Sequence, residues 1–243
     1  MWDLERKTYW QITVNKGGWS GMYLELKNVS KKIGKVDIIK NVNLSMEKGH
    51  IYGLWGKNGC GKTMLMRLIS GLVFFSDGEI LIGGESLGKD ISFPRSIGAL
   101  IESPGFIPGY SGFKNLKVLA SIQNKISDEE IDIIMKTLGL DPQDKKRVKK
   151  YSLGMRQKLG IAAALMEQPD LILLDEPTNA LDEHSTKILK ELLFEHKKRG
   201  ALIIISCHIR EDLEFLSDEI FCMQEGKMIS HYIPAELGKE VEL

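Results

Sequence analysis

The stretch that most restricts what this 243-residue chain can fold into is Gly56-Lys57-Asn58-Gly59-Cys60-Gly61-Lys62-Thr63, a G-x-x-x-x-G-K-T run. Ahead of it Ile51–Leu54 reads as a short buried strand. Behind it Met64, Leu65, Leu68 and Ile69 recur at helical spacing over Lys62–Ser70, and Gly71 supplies a stop. Strand, glycine-rich loop and helix in that order dictate a local chemistry. Glycines let successive backbone N–H groups turn inward without a side-chain clash, and the helix adds the positive end of its dipole, so the loop suits a phosphate-sized anion. Lys62 neutralises such an anion and Thr63 offers a hydroxyl to a hard cation. A glycine-rich turn with a solvated lysine is the plainer alternative, and the strand and helix on either side argue against it. Cys60 reads as a small residue whose backbone alone matters, a reactive thiol being the alternative.

The flanking sequence extends this unit into a larger α/β architecture. Tyr23–Val29 and Ile38–Met46 alternate or cluster apolar residues as strands do. Leu171–Leu174 and Ala201–Ile205 are unbroken apolar runs, the pattern of parallel strands covered on both faces, with an amphipathic helix, His184–Arg199, between them. Between Ser103 and Lys150 prolines and glycines give way to helical segments such as Asp128–Leu140, where Ser127 and Glu130 form a capping box. The expected domain is an α/β core over 22–101 and 159–243, with an antiparallel β segment and an inserted helical subdomain over 102–158. Residues 1–21, with Trp2, Trp10 and Trp19, lack the apolar region of a leader peptide and are expected to be a disordered or non-native extension, Met22 being the true start.

A second chemical element closes the first apolar run. Leu171-Ile172-Leu173-Leu174-Asp175-Glu176-Pro177 sets two acids at the carboxyl end of a buried strand, where open α/β sheets bind ligands. Asp175 suits a contact to a phosphate-bound cation, and Glu176 can accept a proton from an attacking water. Thirty-three basic residues balance thirty-three acidic ones, so the chain lacks the basic field of a sequence-independent nucleic-acid binder. Cys60, Cys207 and Cys222 are too few and too scattered for a disulfide framework or a metal knot, which fits a reducing cytosol. The longest apolar runs are strand-sized, so this chain is not expected to cross a bilayer by itself.

These elements match named motifs. Gly56–Thr63 follows the Walker A pattern and Asp175 the end of a Walker B strand, which together leave kinases, GTPases, helicases and transport ATPases all open. Tyr151-Ser152-Leu153-Gly154-Met155-Arg156-Gln157 resembles the LSGGQ signature of the ATP-binding-cassette (ABC) family; Ser152 and Gly154 match it, while Tyr151 and Leu153 depart. Thr178-Asn179-Ala180-Leu181-Asp182 resembles that family's D-loop, and Ile205-Ser206-Cys207-His208 the strand that carries its switch histidine. The resemblance covers Tyr23 to about Ile229.

It implies a P-loop ATPase that converts Mg²⁺-bound ATP to ADP and phosphate. Gly56, Lys57, Asn58, Gly59, Cys60, Gly61, Lys62 and Thr63 would bind ATP, Thr63 and Asp175 the Mg²⁺, Glu176 would act as base while Lys62 neutralises the β- and γ-phosphates, and His208 would sense the γ-phosphate. Ser152 and Gly154 would reach the nucleotide of a second, head-to-tail subunit in a homodimer or heterodimer; Ser152 taken alone reads as a plain helix cap, and the order and spacing of the motifs reverse that. Ile33 stands where members carry an aromatic that stacks on adenine, and offers apolar contact only. Glu102 stands where they carry the Q-loop glutamine, near Mg²⁺; a solvated hinge residue is the alternative. The implied setting is the cytoplasmic face of a membrane, beside a separate permease and without nucleic acid. Ile97–Pro104 and Tyr151–Ala163 resemble bacterial efflux ATPases of the bacitracin and lantibiotic self-protection kind, which implies export of peptides or antibiotics. The rival classes are a soluble ABC ATPase uncoupled from transport, and a nucleotide-dependent interaction module, which Glu176 and His208 argue against. The run Lys145–Lys150 is read as a solvated face, with anionic headgroups as the alternative.

Overall fold

The two unbroken apolar runs form the middle of a six-stranded sheet in the computed structural model, which describes residues 22–234. The extension 1–21 and its tryptophans lie outside the described residues. In chain order, β1 (Met22–Ile33) and β2 (Val36–Glu47) make a hairpin, and β3 (Ile51–Trp55) leads through the glycine-rich loop into α1 (Lys62–Ile69). β4 (Asp77–Ile82) and β5 (Glu85–Ser86) return to the hairpin, and β6 (Ile97–Leu100) precedes α2 (Gly112–Gln123), α3 (Asp128–Thr137), a 3-10 turn at Val148–Lys150 and α4 (Leu153–Leu165). Then come β7 (Leu171–Asp175), α5 (Glu183–Lys198), β8 (Leu202–Ser206), α6 (Arg210–Leu216), β9 (Glu219–Gln224) and β10 (Lys227–Tyr232). The large sheet runs β10-β9-β3-β8-β7-β6 and is parallel except for the β9–β10 hairpin. The second sheet, β2-β1-β4-β5, is antiparallel throughout, as the alternating segments imply.

Burial explains why β7 and β8 carry no polar alternation. Leu171 and Leu173, with Leu202 and Ile204, face the antiparallel sheet, and α1 fills the space between with fully buried Leu65, Met66, Leu68 and Ile69. The intervening Ile172, Leu174, Ile203 and Ile205 face the other way, against Leu159 and Ile161 of α4, Leu189 and Leu193 of α5, and Leu213 and Leu216 of α6. Each strand is therefore sandwiched, which a polar residue would disrupt. β1 continues four residues past the expected Val29, to Ile33. Asn28 adopts φ 53° and the register shifts between Leu26 and Val29, so a bulge interrupts the two-residue alternation and hides the continuation.

The inserted segment is helical as expected. Ser127 and Glu130 form the capping box at α3, with Ser127 N donating to Glu130 Oε2 at 2.8 Å and Glu130 N to Ser127 Oγ at 3.3 Å. Tyr151, the first departure from the signature, is buried beneath α2, and its hydroxyl accepts from Gly112 N at 3.2 Å, satisfying one open donor of that helix start. α4 runs unbroken from Leu153 to Leu165, starting beside the inserted segment and ending on β6. That close approach depends on Gly98, where a Cβ would stand 1.8 Å from Ala164 O. Lys145, Lys146, Arg147, Lys149 and Lys150 are exposed around a buried Val148. Among the described residues no helix is long and apolar enough to cross a membrane.

Candidate functional site

The parallel strands β3, β7 and β8 deliver their carboxyl ends, and the loops that follow, to one edge of the large sheet. After β3 the glycine-rich loop is held from below: Gly226 N, in the β9–β10 turn, donates to Cys60 O at 2.8 Å, and Cys60 N to Lys57 O at 3.1 Å. Cys60 is buried under the loop, in keeping with a residue chosen for size. Gly61 adopts φ 116°, a backbone conformation that residues with a side chain rarely take. Lys62 then opens α1. Only 5% of it is exposed, and its ammonium donates to Gly56 O at 2.7 Å and more loosely to Lys57 O at 3.4 Å. Neither partner is an anion. A buried ammonium has three protons to place and a charge to neutralise, so this cradle fits a phosphate group.

Behind the loop lies a short chain of hydroxyls and a carboxylate. Thr63 Oγ1 donates to Asp175 Oδ2 at 2.5 Å, and Ser206 Oγ to Asp175 Oδ1 at 2.6 Å. Asp175 and Ser206 are both buried and paired across β7 and β8. A hydroxyl and a carboxylate oxygen in contact are hard donors that suit Mg²⁺. Among the described residues no group of three or more His, Cys, Asp or Glu surrounds a point, so a cation here would complete its shell with water and phosphate oxygens. Ser206 went unread as a site residue, though a serine that ends an otherwise apolar strand was the available signal.

Glu176 follows at φ 52°, a conformation uncommon for a residue with a side chain and frequent at functional turns. Its backbone is fixed on both sides. Glu176 N donates to Ser206 Oγ at 3.0 Å and to Ser206 O at 3.2 Å, while Gln157 Nε2, from α4, donates to Pro177 O at 3.0 Å and Glu176 O at 3.3 Å. Glu176 Oε2 receives Asn179 Nδ2 at 2.8 Å and stands 2.6 Å from His208 Nε2. The structure thus brings Lys62, Thr63, Asp175, Glu176 and His208 to one edge, with His208 against Glu176. Gln157 and Asn179 were not singled out as site residues, because each is an ordinary polar residue whose partner is set by tertiary structure.

No described hydrogen bond or ion pair joins the remaining candidates to the side chains of that cluster. Ser152 caps α4, its Oγ accepting from Met155 N at 3.1 Å, and the exposed Leu153 follows. Gly154 has a packing reason of its own, since a Cβ would meet Ala180 O at 2.8 Å. Both line an open cleft of about 650 Å³ with Ala180, Leu181 and Asp182, and no described hydrogen bond joins either to the phosphate loop of its own chain. Ile33 ends β1 half exposed, beside an exposed Val36. Glu102, at φ 58° after β6, pairs through Oε2 with Nη2 of Arg67 on α1 at 2.5 Å. Arg67 carries no sequence signal that marks it as the partner of Glu102.

Comparison with known proteins identifies the family. Residues 39–179 match the family described as ABC transporter. An uncharacterized ABC transporter ATP-binding protein of Bacillus subtilis (strain 168), YybJ, is 46% identical over 84% of this chain and 94% of its own length. The bacitracin transport ATP-binding protein BcrA of Enterococcus faecalis is 35% identical, over 89% of this chain and 71% of its own. Among solved structures, the dimeric post-hydrolysis state of the ATP-binding cassette MJ0796, bound to ADP and Pi, superposes with a TM-score of 0.80 at 23% identity, over 87% of this chain and 99% of that one.

Proposed function

The chain belongs to the ABC transporter ATP-binding proteins, and on that premise we propose that it hydrolyses ATP at the edge formed by β3, β7 and β8 to drive a separate membrane permease. The observation that carries this reading is the buried Lys62, whose ammonium donates to the carbonyls of Gly56 and Lys57, beside the Thr63–Asp175–Ser206 chain and the adjoining Glu176. The loop N–H groups of Gly56–Thr63 and the Lys62 ammonium hold the β- and γ-phosphates. Thr63 and Asp175 hold Mg²⁺, which when bound offsets phosphate charge. Ile33 lies against the base by apolar contact alone.

Glu176 takes the proton of the attacking water on Oε1 as the water oxygen bonds to γ-phosphorus. The bond to the β–γ bridging oxygen breaks, and its electron pair leaves with ADP. His208, which faces Glu176 in the present arrangement, donates to the γ-phosphate in the ATP-bound one. Ser152 and the Gly154 N–H, at the positive end of α4, complete the site of a second subunit in a head-to-tail dimer, and Glu102 responds to the Mg²⁺ and phosphate state at the start of the helical subdomain, residues 102–158. The setting is the cytoplasmic face of the membrane. The named bacitracin relative supports peptide or antibiotic cargo, exported.

The test is Glu176→Gln. It is expected to bind ATP, abolish turnover and migrate as a dimer in size-exclusion chromatography with ATP; a variant that hydrolyses normally or stays monomeric contradicts the reading. Purification from solubilised membranes then separates the two classes of function: a copurifying permease supports transport, and its absence favours an uncoupled ATPase.

A further inference from the structure

We infer that Asn179 is a positioning residue for the reaction: its side-chain amide holds Oε2 of Glu176 and so presents Oε1 to the water. The inference rests on Glu176 being the base. Asn179 is exposed in the loop after β7 and sits three residues beyond Glu176, its Nδ2 2.8 Å from Oε2. Its own backbone N–H closes the turn on Glu176 O at 3.2 Å, so main chain and side chain both tie it to that one residue.

The division of labour around Glu176 makes the amide necessary. The backbone is anchored without Asn179, by Ser206 on the N–H side and by Gln157 on the carbonyl side. Those contacts fix φ and ψ but leave the side-chain torsions of an extended carboxylate undetermined. Among the described residues two groups settle them, His208 and Asn179, and both address Oε2, while Oε1 accepts from none. A general base needs this asymmetry, with one oxygen pinned and the other open to the proton. When His208 turns to the phosphate, as proposed above, Asn179 is the donor that remains on Oε2. An amide suits the task, because it donates to a carboxylate without adding charge beside the phosphates and carries no proton that the base could take at neutral pH.

The decisive substitution is Asn179→Asp, which keeps size and shape and the backbone turn but cannot donate to a carboxylate. Asn179→Ala removes the group altogether, and Asn179→Ser restores a donor of shorter reach. The contact does not touch Lys62, Thr63 or Asp175, so the affinity for a fluorescent ATP analogue and the KM for ATP are expected to stay within about twofold of wild type. kcat is expected to fall roughly ten- to a hundred-fold in the Asp and Ala variants and to recover in part in the Ser variant. A residue that merely filled space would tolerate Asp and gain nothing from Ser. Wild-type kcat in Asn179→Asp overturns the inference, and so does a loss of nucleotide binding that parallels the loss of turnover. Glu176→Gln, measured alongside, separates the two levels. If it still turns over, the base assignment fails and this inference with it; if it is inactive while Asn179→Asp is normal, only the role of Asn179 fails.

Discussion

Ser206→Ala tests whether the hydroxyl behind Asp175 matters as its geometry says. Ser206 is fully buried at the end of β8, donates to Asp175 Oδ1 at 2.6 Å and accepts from Glu176 N at 3.0 Å. Removing the hydroxyl affects the two partners differently. Glu176 N keeps the carbonyl of residue 206 at 3.2 Å, so little is lost there. Asp175 keeps the Thr63 hydroxyl on Oδ2 but is left with a buried Oδ1 that no described residue serves. A hydrogen bond to a charged group contributes about 1.5–3 kcal/mol, and the vacated methyl-sized space adds little, so a loss of about 2 kcal/mol is expected. In a chain of this size each kcal/mol moves the midpoint by roughly 2–4 °C, which puts the variant about 4–8 °C below wild type. Differential scanning fluorimetry without nucleotide reads it, with urea denaturation as a check on cooperativity. A midpoint within 1 °C of wild type would refute the claim that Ser206 supports a charged Asp175.

Three further outcomes are expected from other contacts of the structure. Lys62→Ala, which removes the buried ammonium from the phosphate loop, is expected to weaken nucleotide binding and to cut ATPase activity by orders of magnitude, read with a fluorescent nucleotide and a phosphate-release assay. His196, 7% exposed and accepting from Arg199 Nε at 3.0 Å on Nδ1, has its pKa pushed down from 6.5 to about 4, by burial first and by the Arg199 charge second. The neutral form is therefore part of the fold, its contribution is complete above pH 6.5 and is lost as pH falls toward 4, and urea titrations at pH 7 and 5 should differ by about 1 kcal/mol, after discount for partial solvation, less in His196→Gln. Glu102→Gln is expected to keep most hydrolysis while Arg67→Ala raises the free Mg²⁺ needed for half-maximal rate; equal half-saturation in wild type and Arg67→Ala would reduce the pair to a surface contact.

What could be read beforehand divides by the range over which each residue acts. The strand, loop and helix around Gly56–Thr63, the cap at Ser127 and the stop at Gly71 are local, fixed by neighbours within a few positions, and they lie where the sequence implied. The unbroken run of β7 was legible because sandwich burial writes itself on every residue of a strand. Ser206, Gln157, Asn179 and Arg67 were not legible. Each makes its decisive contact with a group that is either far along the chain, such as Asp175 for Ser206, or reached only through an unusual turn, such as Glu176 at φ 52° for Asn179. A hydroxyl or amide carries no periodic signature, so its partner appears only when the strands are laid side by side.

The pair formed by Glu102 and Arg67 also bears on how a carboxylate would be tolerated at the place that the resemblance gives to the Q-loop glutamine. Two like charges ~5 Å apart at an effective dielectric of ~20 repel by roughly 3 kcal/mol, enough to oppose ATP binding if Glu102 faced the phosphates unaccompanied. It is accompanied: Arg67, on the helix that opens with Lys62, holds Oε2 at 2.5 Å. Both side chains are partly exposed, so the pair adds little to global stability. On the proposed reading its consequence is charge balance, because a carboxylate joined to a guanidinium would present no net charge to bound phosphates. Arg67 is one turn from Thr63 on α1, so on the proposed reading the helix whose start would hold the phosphates also carries the counter-charge to Glu102.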